Sequence, residues 1–161
     1  MEIIIGFIAN TQKPKFLGIL STTYSIIVTN KRTIFAKIDS KLLKEAMKKV
    51  IEKAKEENKG YFAKIKMQME AMKSYPKKYM KMTPAEILAE TPDNFVIDHN
   101  QVKKIKVNYS YREVDKGDGE FQPETLTSIK YKTNEKSFKF KSSEDLRKDF
   151  EKLYEGLVPL A

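Results

Sequence analysis

The chain of 161 residues contains no cysteine, no tryptophan and a single histidine, His99. The absence of cysteine excludes a disulfide framework and thiolate metal sites, and it is typical of a protein from a reducing compartment. One histidine alone provides neither a zinc site nor a Cys/His nucleophile pair, so we interpret His99 as a turn residue. Phosphate-binding glycine loops and nucleophile elbows are also missing. We therefore expect no catalytic residue, no metal and no cofactor.

Long apolar runs are missing as well. No uncharged stretch approaches the roughly 20 residues that a membrane-spanning helix needs, and the start of the chain, Met1–Gly6, lacks the basic region of a signal peptide. The acidic residues Asp115, Asp118 and Glu120 do not have the spacing of a calcium loop. These features predict a cytoplasmic protein, which could attach to a membrane only peripherally.

Arginine is scarce, with only Arg32, Arg112 and Arg147, so the formal net charge of +9 comes almost entirely from lysine. The charge is uneven: the net values are +3 for residues 1–40, +8 for 41–82 and −2 for 83–161. Lysine is a point charge and lacks the planar fork with which arginine reads phosphates and bases. Either a lysine-biased composition or a functional basic surface explains the excess.

Two apolar runs in Tyr24–Asp39 are joined across Thr29-Asn30-Lys31-Arg32 and predict a β-hairpin, with Asn30 supplying a positive φ in the turn. In the second run Ile34 and Ala36 alternate with Phe35 and Lys37. This hairpin resembles that of bacterial and archaeal pleckstrin-homology-like (GRAM-like) domains. The segments Asn94–Ile97 and Val102–Val107, and the closing stretch Ser142–Leu157, are similar to later parts of the same family.

The resemblance implies an α+β fold in one domain: a bent antiparallel β-barrel of about seven strands, closed by a C-terminal helix. Residues 1–40 and 92–141 would form the barrel and residues 142–157 the closing helix, leaving 41–91 as a helical insertion after the third strand. Family members that bind phosphoinositides carry basic residues in the first loop. The resemblance thus implies a candidate anion site at Lys13, Lys15, Lys31 and Arg32, although Thr23–Thr29 lacks the expected basic residues.

The insertion has a helical apolar period from Lys41 to about Ser74, with Ser40 as the expected N-cap. Gly60 predicts either a kink or a break into two helices. Thr83-Pro84-Ala85-Glu86 is a capping box that begins another helix, which ends at Pro92.

Strands are predicted at 3–9, 23–29, 94–97, 103–112, 126–133 and 136–141, with a loop at Asn10–Leu17 and an acidic loop at Glu113–Glu124. The segment Phe16–Leu20 could be a short strand or a plug at the mouth of the barrel. Ser142 or Ser143 is expected to cap the last helix, whose apolar face would cover the open end of the barrel.

The segment Gly60–Met82 combines six lysines and one acid with tyrosines, Phe62 and five methionines. A basic, amphipathic and aromatic helix is typical of a partner-binding surface or of a helix at an anionic membrane surface. Alternatively, the segment folds back on the barrel and its methionines fill the core. The candidate surface residues are Tyr61, Lys64, Lys66, Met67, Lys73, Tyr75, Lys77, Lys78, Tyr79 and Lys81.

From these patterns we expect a non-catalytic binding or scaffolding module whose partner, a protein or a second copy, contacts the insertion. A peripheral binder of anionic membranes is the alternative. Nucleic acid is a less favoured partner because arginine is scarce and no known binding motif is present. No small-molecule substrate is indicated.

Overall fold

The computed structural model describes residues 1–15, 20–115 and 117–161. Within these ranges the fold is α+β, with seven antiparallel strands in one open sheet of order β4-β3-β2-β1-β7-β6-β5, and four α-helices. The strands are β1 (Ile4–Lys15), β2 (Leu20–Thr29), β3 (Arg32–Lys37), β4 (Phe95–Asp98), β5 (Val102–Asp115), β6 (Phe121–Thr133) and β7 (Ser137–Ser142). The helices are α1 (Ser40–Glu56), α2 (Tyr61–Ser74), α3 (Pro84–Ala89) and α4 (Arg147–Tyr154), with 3₁₀ helices at Tyr75–Lys81 and His99–Gln101.

The sheet bends over itself around an aromatic core. Phe35 on β3 stacks on Phe140 of β7 with ring centroids 4.8 Å apart, although β2 and β1 lie between these strands in the sheet order. Tyr131 of β6 meets Phe35 edge to face at 5.2 Å. In a flat sheet, strands three places apart could not bring these rings together, so the two halves of the sheet face each other across the core.

Helix α4 packs on this core. Its residues Phe150 and Tyr154 are fully buried, and Leu146, which precedes the helix, is also buried in the core. The predicted seven strands, antiparallel pairing and C-terminal helix are therefore confirmed. The strands form an open sheet with β4 and β5 at its edges, and no closed hydrogen-bonded ring forms among the described residues.

The predicted hairpin of β2 and β3 is confirmed, with Tyr24 opposite Lys37 and Ile27 opposite Ile34. Asn30, however, does not adopt a positive φ. The Thr29 hydroxyl organises the turn by accepting hydrogen bonds from the backbone N–H groups of Lys31 and Arg32. The Asn30 side chain instead accepts a hydrogen bond from the Ile3 amide and so ties the first strand to the turn.

Two loop predictions were wrong because strand pairing continues through them. Asn10 is a left-handed residue (φ 57°) at a bulge in β1, after which the strand continues to Lys15. In the predicted acidic loop, Asp115 still pairs with Phe121, and Gly117 and Gly119 provide the positive φ of a much shorter turn. Most of the segment Phe16–Leu20 lies outside the described residues, which resume at Leu20.

The helical prediction for 41–74 resolves into two helices that meet near Gly60. Asn58 leaves the helical region with φ 53°, and Gly60 is the N-cap of α2. The N-cap of α1 is Asp39, not the predicted Ser40, because the Asp39 carboxylate accepts hydrogen bonds from the next amides. The capping box of α3 is confirmed.

The predicted start of the last helix was also wrong. Helix α4 begins at Arg147 with Leu146 at the N-cap position, several residues after Ser142 and Ser143. Because the Leu146 side chain is buried in the core, the N-cap position of α4 holds an apolar residue that makes no capping hydrogen bond.

Candidate functional site

The last part of the helical segment docks on the outer surface of the sheet. Tyr79 of the 3₁₀ helix and Ile87 of α3 are fully buried against Ile27, Ile34 and Ala36, which form a second apolar cluster. These strand residues alternate with those that face the inner core, so each side of the β2–β3 hairpin is buried. The docked helices therefore cover an apolar surface of the sheet that would otherwise be exposed to water.

A hydrogen-bonded group of four side chains, Tyr75, Lys78, Tyr79 and Glu90, anchors the docked part. The Tyr79 hydroxyl donates to the Glu90 carboxylate at 2.9 Å, and the Lys78 ammonium donates to the same carboxylate and to the Tyr75 hydroxyl, both at 2.8 Å. Burial and the bond to Glu90 raise the pKa of Tyr79 well above its ordinary value. Burial opposes the charge on Lys78, but its hydrogen bonds to Glu90 and Tyr75 outweigh this effect and raise its pKa.

Helices α1 and α2 form a helical hairpin whose chief contact is between the two helices. Only Ala54 is buried in α1 and no residue is buried in α2, so the hairpin lies at the protein surface. At its base, Leu43 and Met72 line a crevice of about 300 Å³ together with Thr22, Thr23 and Lys37. The other end of the hairpin, near Gly60, is solvent-exposed.

The two sides of α2 are both apolar, but only one of them is covered. Ala63, Met67 and Ala71 recur every four residues and are half-buried, so this side faces α1. On the other side Phe62, Ile65, Met69 and Met72 are exposed, with Phe62 84% and Met69 56% accessible. We call these four residues the outer face of α2; at 100° per residue they span only about 80° of the helix circumference.

Lysines border the outer face of α2. Lys66 and Lys73 are exposed and lie within about 40° of Phe62 on one side of the stripe. Lys77 and Lys81 are exposed in the 3₁₀ helix that follows, whereas Glu70 is the one acid in α2. The result is an exposed apolar stripe in a strongly positive setting.

The ten residues predicted as a partner surface do not form one surface. Tyr61, Lys66, Lys73, Lys77 and Lys81 are exposed. Lys64 and Met67 lie on the half-buried side of α2. The remaining three, Tyr75, Lys78 and Tyr79, belong to the anchoring group, and the fully buried Tyr79 is the clearest correction.

The four residues of the candidate anion site lie at two ends of the same strands. In the β1–β2 register Lys13 is opposite Thr22, whereas Lys31 follows Thr29 at the far end of β2. The extended chain from Thr22 to Thr29 separates these two levels by about 23 Å. Arg32 is also engaged by Glu2, with Nε 2.8 Å from Oε1. The structure therefore does not bring the four cations together.

His99 takes part in a buried polar network, so the prediction of a simple turn residue was incomplete. It lies in the 3₁₀ helix between β4 and β5, with Nε2 3.0 Å from the Thr33 hydroxyl. Thr33 in turn lies 2.8 Å from the Tyr154 hydroxyl, which is 2.9 Å from that of Tyr131. Burial lowers the pKa of His99, opposed by the charges of Asp98 and Glu2.

In the described ranges, no group of three or more acidic or histidine side chains is arranged to hold a metal ion. The Asp115 carboxylate accepts hydrogen bonds from the amides of Gly117 and Gly119 and shapes the β5–β6 turn. None of the described helices is long and apolar enough to cross a bilayer. Comparisons of the chain with protein-family models, with curated proteins and with solved structures found no match.

Proposed function

We propose that the chain is a non-catalytic binding module of pleckstrin-homology-like architecture, with the outer face of α2 as its binding surface. The bent sheet of seven antiparallel strands and the helix packed on its core are what the hairpin resemblance implies. In that scheme the segment from α1 to α3 is an insertion between the third and fourth strands.

The observation that carries the proposal is the second apolar side of α2. A surface helix normally needs one apolar side, and α2 already has one against α1. Phe62, Ile65, Met69 and Met72 add a continuous exposed stripe on the opposite side. Contiguous exposed apolar patches of this kind mark surfaces that bind proteins or membranes.

The charge around the stripe favours an anionic membrane surface. Tyr61 and Phe62 stand at the exposed start of α2, where aromatic rings would enter the lipid headgroup region. Lys66 and Lys73 flank the stripe and would contact the headgroups. Each lysine near such a surface contributes about 1 kcal/mol, which salt screens.

Co-sedimentation tests this function with vesicles of phosphatidylcholine alone and of phosphatidylcholine with phosphatidylserine. We expect binding only to the anionic vesicles, and loss of binding at high salt. The variant Phe62→Ser/Ile65→Ser should bind about tenfold more weakly or worse, because two side chains no longer leave water. The matched control Phe121→Ser/Leu126→Ser removes exposed apolar groups from the β5–β6 hairpin and should bind normally.

Absence of sedimentation at low salt would refute membrane binding. Equal binding by the Phe62→Ser/Ile65→Ser variant would show that another surface is responsible.

A protein partner on the same face is the second candidate. Methionine adapts to varied surfaces, and Met72 borders the crevice at the base of the hairpin, where an apolar side chain of a partner helix would fit. This candidate predicts a discrete protein crosslink from a photoreactive residue at position 65, which Met69→Ser abolishes. The same residue at position 48, an exposed position on α1, should give no such product.

A further inference from the structure

Six lysines line the outer surface of the second half of the sheet. In β5, β6 and β7, lysines alternate with residues that face the inner core, such as Ile105, Tyr131 and Phe140. The alternation places every one of these lysines on the side away from the core. We call this surface the lysine face; it consists of Lys104, Lys106, Lys130, Lys132, Lys139 and Lys141.

The strand register sets these lysines directly opposite one another. Lys106 pairs with Lys130, which pairs with Lys139, so three lysines form one row across three strands. Lys104 pairs with Lys132 in the neighbouring row. Side chains in such pairs have Cβ atoms about 5 Å apart, and like charges there destabilise a sheet.

The positive charge of the lysine face is not neutralised within the described parts of the chain. The ion pairs there involve other residues, and none includes a lysine of this face. The charges of Lys106, Lys104 and Lys130 lower the pKa of Lys132. A folded protein that keeps an unfavourable arrangement of this kind commonly does so for function.

The rest of the face is small and polar. Asn108 and Ser128 form the row beside Lys106 and Lys130, and Ser128 pairs with Lys141. A groove of about 340 Å³ runs between Lys106, Lys130, Lys139 and Lys141, with Pro14 and Leu126 at its margins. Among the described residues that line this groove there is no carboxylate. Amides and hydroxyls between lysines are suitable donors to phosphate and sugar oxygens.

We propose that the lysine face binds the phosphate backbone of a nucleic-acid duplex without reading its sequence. Rows of lysine donors match a polyanion with closely spaced charges. Base readout would need bidentate side chains such as arginine, and single-strand binding would need exposed aromatic rings; the face has neither. Binding to the phosphate backbone needs neither bidentate side chains nor exposed aromatic rings, so the scarcity of arginine does not oppose it. This surface is separate from the outer face of α2, and the two proposals can fail independently.

A membrane is a less suitable occupant of this face. Leu126, 38% exposed, stands at the edge of the groove, whereas the exposed Tyr111 and Phe121 lie farther along the β5–β6 hairpin and do not line it. The face therefore offers little that could enter the headgroup region.

The experiment measures fluorescence anisotropy of a labelled DNA duplex titrated with the full chain at several salt concentrations. If all six lysines contact phosphates, the slope of log K against log salt is about −5, since each contact contributes about −0.9. Duplexes of different sequence should bind equally. The absence of duplex binding at about 50 mM salt would overturn the proposal.

Paired variants locate the contact. Lys106→Ser/Lys130→Ser should make the slope less steep by about 2 and weaken binding by about tenfold to a hundredfold near 0.1 M salt. The control Lys48→Ser/Lys53→Ser changes the net charge equally on the exposed side of α1 and should bind nearly as the wild type does. Urea unfolding of both variants verifies that they fold.

Equal loss in the control would show diffuse attraction and overturn the proposal. A lysine-face variant that loses vesicle binding but not duplex binding would assign the face to a membrane instead. The variant Phe62→Ser/Ile65→Ser should retain duplex binding. A change in its vesicle binding alone would concern the proposed function of the outer face of α2 and not the lysine face.

Discussion

Removing one hydroxyl, in Tyr79→Phe, tests how the helical segment is attached to the sheet. The ring of Tyr79 is fully buried beside Ile27 and Ile34, and phenylalanine preserves that packing. What is lost is the hydrogen bond to the Glu90 carboxylate at 2.9 Å. A hydrogen bond to a charged group contributes about 1.5–3 kcal/mol. Glu90 keeps its contact with Lys78, so we expect a loss near the lower limit, about 1.5 kcal/mol.

Urea unfolding followed by circular dichroism measures this loss as a lower midpoint with an unchanged slope. For a chain of this length the melting temperature should fall by about 3–6 °C. The control Tyr61→Phe makes the same chemical change at a site that is 73% exposed, and its stability should stay within about 0.5 kcal/mol of the wild type.

A double-mutant cycle with Glu90→Gln completes the test. If the hydroxyl and the carboxylate interact as described, their coupling energy is at least about 0.5 kcal/mol. Tyr79→Phe with no greater effect than Tyr61→Phe would refute the anchoring role of this bond. Tyr79→Ala, which also empties the site, should cost about 3–5 kcal/mol.

Three further outcomes follow from the structure. Lys130→Thr should raise the urea midpoint at low salt, because it removes the central charge of the row Lys106–Lys130–Lys139, and the gain should shrink at high salt. Asp39→Ala should cost about 1 kcal/mol by removing the N-cap of α1 and should speed amide exchange in its first turn. Because the pKa of His99 is lowered by burial, the unfolded chain binds the extra proton more readily, so stability should be complete above about pH 6.5 and fall as the pH drops below it. His99→Gln should flatten this pH dependence in urea titrations.

Local alternation and turn chemistry were sufficient to predict much of the sheet from the sequence. The β2–β3 hairpin could be predicted because Ile34 and Ala36 alternate with Phe35, and both sets are buried on opposite sides. The α3 capping box could be predicted because its two hydrogen bonds join Thr83 and Glu86, which are three residues apart in the sequence. Strand ends were harder to place, since pairing continued through the bulge at Asn10 and along the polar β5–β6 hairpin.

The outer face of α2 could not be predicted because it depends on the break before Gly60. In one continuous helix, Phe62, Ile65, Met69 and Met72 would share the apolar stripe of α1 and be covered. The break gives α2 a new orientation, and the smaller residues Ala63 and Ala71 face α1 instead. Which side of a helix faces its neighbour is a tertiary property.

The lysine face was missed for a different reason. Residues 83–161 sum to a net charge of −2, because the acids of the β5–β6 hairpin and of α4 cancel the strand lysines. The signal was nevertheless present, as lysine alternates with apolar residues at 104–106, 130–132 and 139–141. Net charge over a long window hides a surface that strand periodicity would reveal.

The central claim is that the outer face of α2 binds an anionic membrane surface, and the absence of cysteine allows a direct measurement. An environment-sensitive fluorophore is attached to Met69→Cys on the outer face and, as a control, to Lys48→Cys on α1. Anionic vesicles are then added at low salt. We expect a blue shift and higher intensity at position 69, reversed by salt, with little change at position 48. Unchanged emission at position 69, or equal changes at both positions, would contradict it.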